Sequence, residues 1–295
     1  MKINWYPGHM HKARKEIGKL MPSVDLLIEV LDARIPFSSS NPVVCSLGKH
    51  KPCIKVLNKS DLADRLCTQE WQRVLEQEQA VRTLVTSSKD VHTIQAIMPL
   101  AEKLLPQCNR TDRPVRALIV GIPNVGKSTL INRLANRTIA KTGNQPALTR
   151  AQQRIRLRNG MVLYDTPGFL WPRLEPQVCA YRLAVTGAIK NSVLEFEDIA
   201  LFLLEYLLEH HPDVLLQRYA METLPDDATA LFGQVGRQRG GMRRGGCLDS
   251  RKTAEIIIND LHSGSFGPLS FETPAMIASQ LATEEHCCEP QEEFS

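Results

Sequence analysis

Apolar residues in the first half of the chain gather in short, nearly unbroken runs, and each run stops at a polar or glycine-rich loop. LLIEVLDA (26–33) stops at RIPFSSSNP, CIKVL (53–57) at NKSD, ALIV (117–120) at GIPNVGKST, and MVLYD (161–165) at TPG. A fifth run, RTLVTSSK (82–89), behaves the same way. Short runs without alternation mark parallel strands buried on both faces, with functional loops at their carboxyl ends. TQEWQRVLEQEQ (68–79) and TIQAIMPLAEKLL (93–105) carry apolar residues at helical spacing. RIRLR (154–158) alternates strictly, which predicts an antiparallel edge strand. Strands alternating with helices predict an α/β fold built on a mostly parallel sheet.

Beyond about residue 176 the strand signals stop. VCAYRLAVTGAIK, FEDIALFLLEYLLEHH and PDVLLQRYA all have helical spacing. The expected organisation is an α/β domain over 1–175, a smaller α-helical domain over 176–278 and an acidic, disordered tail over 279–295. No run reaches the roughly 18 apolar residues of a membrane span. The best candidate, IALFLLEYLL (199–208), is interrupted by Glu205. The N-terminal stretch is basic without an apolar stretch behind it, so no secretory signal is read and a cytoplasmic location is expected.

Charge and cysteine content narrow the picture further. The formal net charge is +4, but the last thirteen residues hold five Glu and no Lys or Arg, so the body before them carries +9. A basic body suits an anionic partner such as nucleic acid, and equally suits an enzyme with a mildly basic surface. None of the eight Cys forms a C-x-x-C pair. That usage fits a reducing compartment rather than a disulfide framework.

Residues 121–128 match G-x-x-x-x-G-K-S/T in full, after a β-like run and before the helical TLINRLAN. That strand–loop–helix setting is what a phosphate-binding loop requires. Gly121 and Gly126 let the backbone wrap so that successive N–H groups, through Asn124, Val125, Gly126 and Thr129, point at phosphate oxygens. Lys127 is expected to reach the β- and γ-phosphates, and the Ser128 hydroxyl to ligate Mg²⁺. DTPG (165–168) follows 44 residues after Gly121. Asp165, at a strand end, is expected to hold Mg²⁺ through water, and Gly168 to offer its N–H to the γ-phosphate. Thr149, in PALTRAQQ, is the candidate switch threonine and a further Mg²⁺ ligand, with Thr138 and Thr142 as competitors.

Asn58-Lys59-Ser60-Asp61 reads as a device for a guanine base. A carboxylate at Asp61 can accept from both the N1–H and the exocyclic amine of guanine, a pair that adenine lacks. Sites of this kind reject the analogue by about 10⁴–10⁵. Asn58 positions the loop, and the Lys59 stem can cover the base face. Ser87-Ser88-Lys89 supplies a second loop, with the Ser88 N–H facing the guanine carbonyl. These elements occur in the order base, base, phosphate, switch, switch. Relative to guanine-nucleotide switches that begin with the phosphate loop, the chain has been cut and rejoined. Joining nearby termini makes such permutation feasible.

With WYPGHMHKAR (5–14), DARIPFSSSNP (32–42), DTPGFLWP (165–172), LAVTGAIK (183–190) and FGPLSFETP (266–274), the chain resembles the circularly permuted GTPases, in particular the YlqF-like ribosome biogenesis GTPase A branch. The resemblance covers roughly 1–275. It implies a P-loop GTPase fold in permuted order, followed by a helical domain. It implies GTP hydrolysis in late maturation of the large (50S) ribosomal subunit, GTP-dependent binding to its precursor, rRNA and ribosomal proteins as partners, and a monomer off the ribosome. It also implies a role for His9 in placing the attacking water, because Phe169 stands where many GTPases carry a Gln. Asn124 sits where similar GTPases use an Asn to hold K⁺. Ala147 and Arg150 depart from the family pattern around Thr149.

Lys12, Arg14, Lys15 and Lys19 near the N-terminus, and Arg237, Arg239, Arg243 and Arg244 in GRQRGGMRRGG, are candidates for rRNA phosphates or for solvated faces. Two other classes stay open at this stage: an RNA-modifying enzyme carrying a GTPase module, and a GTP-dependent module that binds a protein partner.

Overall fold

The computed structural model describes residues 8–87, 90–106, 113–138, 153–157, 160–171, 174–189, 195–243 and 246–287. A helix, α1 (Gly8–Leu20), leads into six strands: β1 (Leu26–Asp32), β2 (Cys53–Asn58), β3 (Val81–Val85), β4 (Arg116–Gly121), β5 (Gln153–Arg156) and β6 (Val162–Asp165). They form one sheet in the order β3-β2-β1-β4-β6-β5. Pairing is parallel from β3 through β6, and β5 alone runs antiparallel, at the edge. Every residue of β1 is buried, as expected for a central parallel strand covered on both faces. In β5 only Ile155 is buried, which is why its sequence alternates.

The five parallel strands end at the same edge of the sheet. The chain extends outward through β2 and β3, then returns past β1 to lay down β4. The reversal of strand order beside β1 is where open α/β sheets bind their ligands. Register places Asp32 opposite Asn58, Val30 opposite Gly121, and Ile119 opposite Asp165.

The helices between strands are α2 (Pro36–Ser39), α3 (Pro42–Gly48), α4 (Arg65–Leu75), α5 (Val91–Gln95), α6 (Ile97–Leu104) and α7 (Lys127–Ala135). The helix expected over 93–105 is two, broken at Ala96. The Asp90 side chain caps the first through the His92 and Thr93 amides. After β6 come α8 (Gln177–Val185), α9 (Phe196–His210), α10 (Pro212–Tyr219), α11 (Ala228–Gln238), α12 (Ser250–His262) and α13 (Pro274–Cys287). In α9, Ile199, Leu203, Leu204 and Leu207 are fully buried, and this helix is the axis on which α8, α10, α11 and α12 pack. Side-chain caps from Asp227 and Asp249 start α11 and α12.

Two features differ from the sequence expectation. Residues 279–287 of the tail expected to be disordered belong to α13, because Ile277 anchors that helix in a core with Trp71 and Cys67 of α4. The segment before α13, residues 269–272, also bonds to the loops of the sheet. Cys45, Cys53, Cys67, Cys179 and Cys247 are free thiols.

Candidate nucleotide-binding site

The candidate phosphate loop and the candidate base-reading loop meet directly. Asn58, at the end of β2, donates from Nδ2 to the Val125 carbonyl at 2.7 Å, linking positions 67 apart in the chain. Gly126 makes this approach possible. Its φ is +96°, and a Cβ built there would lie 2.2 Å from Asn58 Nδ2. Gly126 is also the residue before α7, so Lys127, Ser128 and Thr129 form the helix's first turn, where N–H groups lack internal partners. The loop's backbone can therefore face phosphate oxygens with the helix dipole behind it.

Lys127 is buried, and its ammonium donates to the Asp165 carboxylate and the Thr166 carbonyl. Burial lowers the lysine's pKa, against the attraction of Asp165. Asp165 is fully buried, and its Oδ2 has no partner among the described residues. An orphaned carboxylate oxygen beside Lys127, with Ser128 next in the chain, fits a hydrated divalent cation. Gly168 closes against the phosphate loop: a Cβ there would come within 3.0 Å of the Pro123 backbone. Phe169 is 1% exposed, and its carbonyl accepts from Asn41 Nδ2 at 3.2 Å. Its ring is committed to the core and cannot orient water.

On the base side, Lys59 has φ +59° and its ammonium donates to Asp32 Oδ2 at 2.9 Å. The anchored head fixes where its methylene stem runs. Ser60 donates from its N–H to the Thr86 carbonyl at 3.2 Å, and Thr86 N–H donates to the Leu57 carbonyl at 2.9 Å. The loops after β2 and β3 are thereby joined. Asp61 is exposed, on the short 3₁₀ turn Ser60–Leu62, and Ser87 is buried.

The sequence reasoning passed over the centre of this edge. Asp32, at the end of β1, receives Arg34 in a two-pronged pair, Nε to Oδ1 at 2.9 Å and Nη2 to Oδ2 at 2.8 Å. Burial opposes ionisation of Asp32, but Arg34 and Lys59 prevail and hold its pKa well below the usual carboxylate range. Arg34 Nη2 also reaches the Thr186 carbonyl at 3.4 Å, and Asn124 Nδ2 donates to the Gly187 carbonyl at 2.8 Å. The C-terminal end of α8 is thus held by β1's loop and by the phosphate loop together. A D-x-R pair closing an otherwise apolar strand was the available signal.

Other candidates scatter. Ser88, Lys89 and Thr149 lie outside the described residues, as does Arg244. His9 falls within α1, whose Arg14, Lys15 and Lys19 are exposed. Arg243 Nε pairs with Asp249 at 3.0 Å, and Arg239 lies 3.8 Å from Asp260, so both already have acidic neighbours.

The chain is similar to GTPases of known sequence and structure. Residues 116–225 match the family described as 50S ribosome-binding GTPase. Ribosome biogenesis GTPase A of Bacillus licheniformis is 44% identical over 281 residues, covering 93% of this chain and 99% of that protein. Its counterpart in Bacillus pumilus is 45% identical over the same shares. Among solved structures, GNP-bound YlqF from T. maritima superposes with a TM-score of 0.64 at 27% identity, covering 89% of this chain and 98% of that one.

Proposed function

The chain belongs to the ribosome biogenesis GTPase A family, and from that premise we propose that it acts late in maturation of the large ribosomal subunit, binding the pre-50S particle in a GTP-dependent way. That it is a GTPase of ribosome biogenesis follows from the family itself. The observation that carries the nucleotide reading is the 2.7 Å bond from Asn58 to Val125. It sets the loop read as contacting guanine against the loop read as holding phosphates, which supports a single ligand spanning both.

In this reading Asp61 accepts from the guanine N1–H and amine, while the loops around Ser60, Ser87, Ser88 and Lys89 enclose the base. Lys127 neutralises terminal phosphate charge, and the amides from Asn124 to Thr129 hold the phosphate oxygens. Ser128, Thr149 and, through water, Asp165 would hold Mg²⁺, which when bound neutralises charge shared between the β- and γ-phosphates. Gly168 meets the γ-phosphate with its N–H. Since the Phe169 ring is buried, water is oriented by another group, and His9 takes that part, with K⁺ at Asn124 as a second aid. The intrinsic rate is accordingly slow and rises on the ribosomal particle. Contacts run to rRNA and ribosomal proteins, led by the exposed cations of α1. The protein works as a cytoplasmic monomer between these encounters. No helix among the described residues is long and apolar enough to cross a membrane.

Co-sedimentation with purified large subunits and their precursors, with GTP or GDP across a salt series, tests the partner. Binding that is indifferent to nucleotide, or absent, rejects the proposal. Turnover with and without subunits, in K⁺ and in Na⁺, tests the mechanism. His9→Ala should slow turnover and leave affinity nearly intact. Full subunit-stimulated activity in that variant removes His9 from the reaction.

A further inference from the structure

The segment 269–272 has no part in the site described above, yet it bonds to the chain just beyond the guanine loop and to the β1 loop beside it. Leu269 N–H donates to the Leu62 carbonyl at 2.9 Å, one residue beyond Asp61. Ser270 Oγ accepts from the Asp64 N–H at 3.1 Å. Phe271 N–H donates to the Arg34 carbonyl at 2.9 Å. Arg34 grips Asp32, and Asp32 holds the Lys59 ammonium. The segment thus reaches the loop downstream of Asp61 directly, and at Lys59 through two buried side chains.

The same four residues are fastened to the helices. Tyr206 of α9 donates its hydroxyl to the Ser270 carbonyl at 2.7 Å. Trp71 Nε1 of α4 donates to the Glu272 carbonyl at 3.0 Å. The Glu272 carboxylate is completely buried. It accepts from Ser38 N–H at 2.9 Å and Ser38 Oγ at 2.6 Å, and pairs with Arg182 of α8 at 3.4 Å. A buried carboxylate placed this way would be costly as mere filler, because each of its bonds must be kept to offset its desolvation. Its neighbours come from α2, the short helix after β1, and from the first helix of the helical region.

We propose that Leu269–Glu272 is a positioning strap for guanine recognition, through which the helical region sets how firmly the Lys59–Asp61 turn presents itself to the base. This rests on the reading of Asp61 as the guanine acceptor. The helical region would then tune selectivity for the base while leaving the phosphate contacts of Lys127 and Ser128 alone. Any partner that shifts α9 or α8 would act on the same turn.

The test compares GDP with IDP, which lacks the exocyclic amine, by titration calorimetry on the full chain. The wild type should prefer GDP by roughly 10- to 100-fold, the worth of one hydrogen bond to a charged group. Ser270→Ala, which removes the acceptor for Asp64, should narrow that ratio about fivefold. Tyr206→Phe, which touches only the far side of the strap, should narrow it in the same direction. A strap that merely holds the fold together would lower both affinities in parallel, so an unchanged ratio in both variants overturns the proposal. Circular dichroism confirms that each variant is folded, and the two variants do not depend on one another. No preference for GDP in the wild type would sink the reading of Asp61 together with the strap. A wild-type preference preserved in both variants would sink the strap alone.

Discussion

Gly126 is the point at which a single carbon can push the two nucleotide loops apart. Its φ of +96° belongs to the left-handed side, and a Cβ there would sit 2.2 Å from Asn58 Nδ2. Gly126→Ala therefore carries two costs. Holding a residue with a side chain in that conformation costs about 1–2 kcal/mol. The clash also drives the Asn58 amide off the Val125 carbonyl, a buried bond of 2.7 Å. Leaving such groups unsatisfied costs about 1–3 kcal/mol. Together the substitution should destabilise the protein by about 2–5 kcal/mol. Asn58→Ala separates the terms, because it removes the amide before the methyl arrives. In that background only the backbone cost remains. A double-mutant cycle should show a coupling of about 1–3 kcal/mol, the double variant being less damaged than the two singles predict. Urea unfolding without nucleotide, followed by the fluorescence of buried Trp71 and Trp171, measures it. A cycle additive to within about 0.5 kcal/mol would mean that the loops do not touch, and the shared-ligand argument would go with them.

Further expectations concern the same edge. Lys127→Ala removes the cation from the triphosphate and from buried Asp165 alike. Binding should be lost, and stability should fall by about 3–5 kcal/mol, as when one partner of a buried pair is removed; calorimetry that finds normal nucleotide affinity rejects the assignment. Asp61→Asn should invert the base preference from GTP toward xanthosine triphosphate, by a selectivity factor on the order of 10⁴; an unchanged order of affinities means that Asp61 does not read the base. His262 Nε2 lies 2.9 Å from the Val185 carbonyl, a contact that needs the Nε2–H tautomer. Burial lowers its pKa, the Val185 bond opposes this, and Arg34 and Lys59 add to the lowering. The folded state therefore resists protonation, and below about pH 6.5 the unfolded chain takes up more protons. Stability should be full above that pH and fall as pH drops toward the folded pKa. His262→Gln should flatten the decline in urea unfolding between pH 7 and 5.5, and equal slopes would count against it.

What could be read from the sequence was whatever is written in contiguous residues. The phosphate loop is local: strand, glycines, lysine and helix follow one another from Arg116 to Ala135. The edge strand was legible because only one of its faces is covered, so Ile155 alternates with polar neighbours. The Asp32–Arg34–Lys59 cluster was not, because it forms only when register sets Asp32 opposite Asn58. A charged residue at a strand end looks the same whether it faces solvent or a partner from the next strand. Glu272 was illegible for the same reason: its partners Ser38 and Arg182 lie 234 and 90 positions away. The helical start of the tail was misread because its acidic composition outweighed the anchor at Ile277, which matters only once α4 is beside it.

The permuted order has a mechanical consequence. With the phosphate strand first, the D-T-P-G loop would lead onward to the base-reading strands, and its movement would be absorbed within the sheet. Here the chain leaves Gly168 into Phe169, Leu170 and Trp171, all buried, and then enters α8. The loop proposed to sense the γ-phosphate is thus continuous with the helical region. The far end of α8 returns to the phosphate loop through Gly187 and Asn124, and to β1 through Thr186 and Arg34. A shift at Gly168 therefore cannot pass into α8 without loading two bonds at the helix's other end. Interfaces of this kind repack between discrete arrangements rather than deform smoothly. On the proposed role of Gly168, the cut in the chain leaves the helical region, and not a further strand, next along the chain from the loop that would sense the nucleotide.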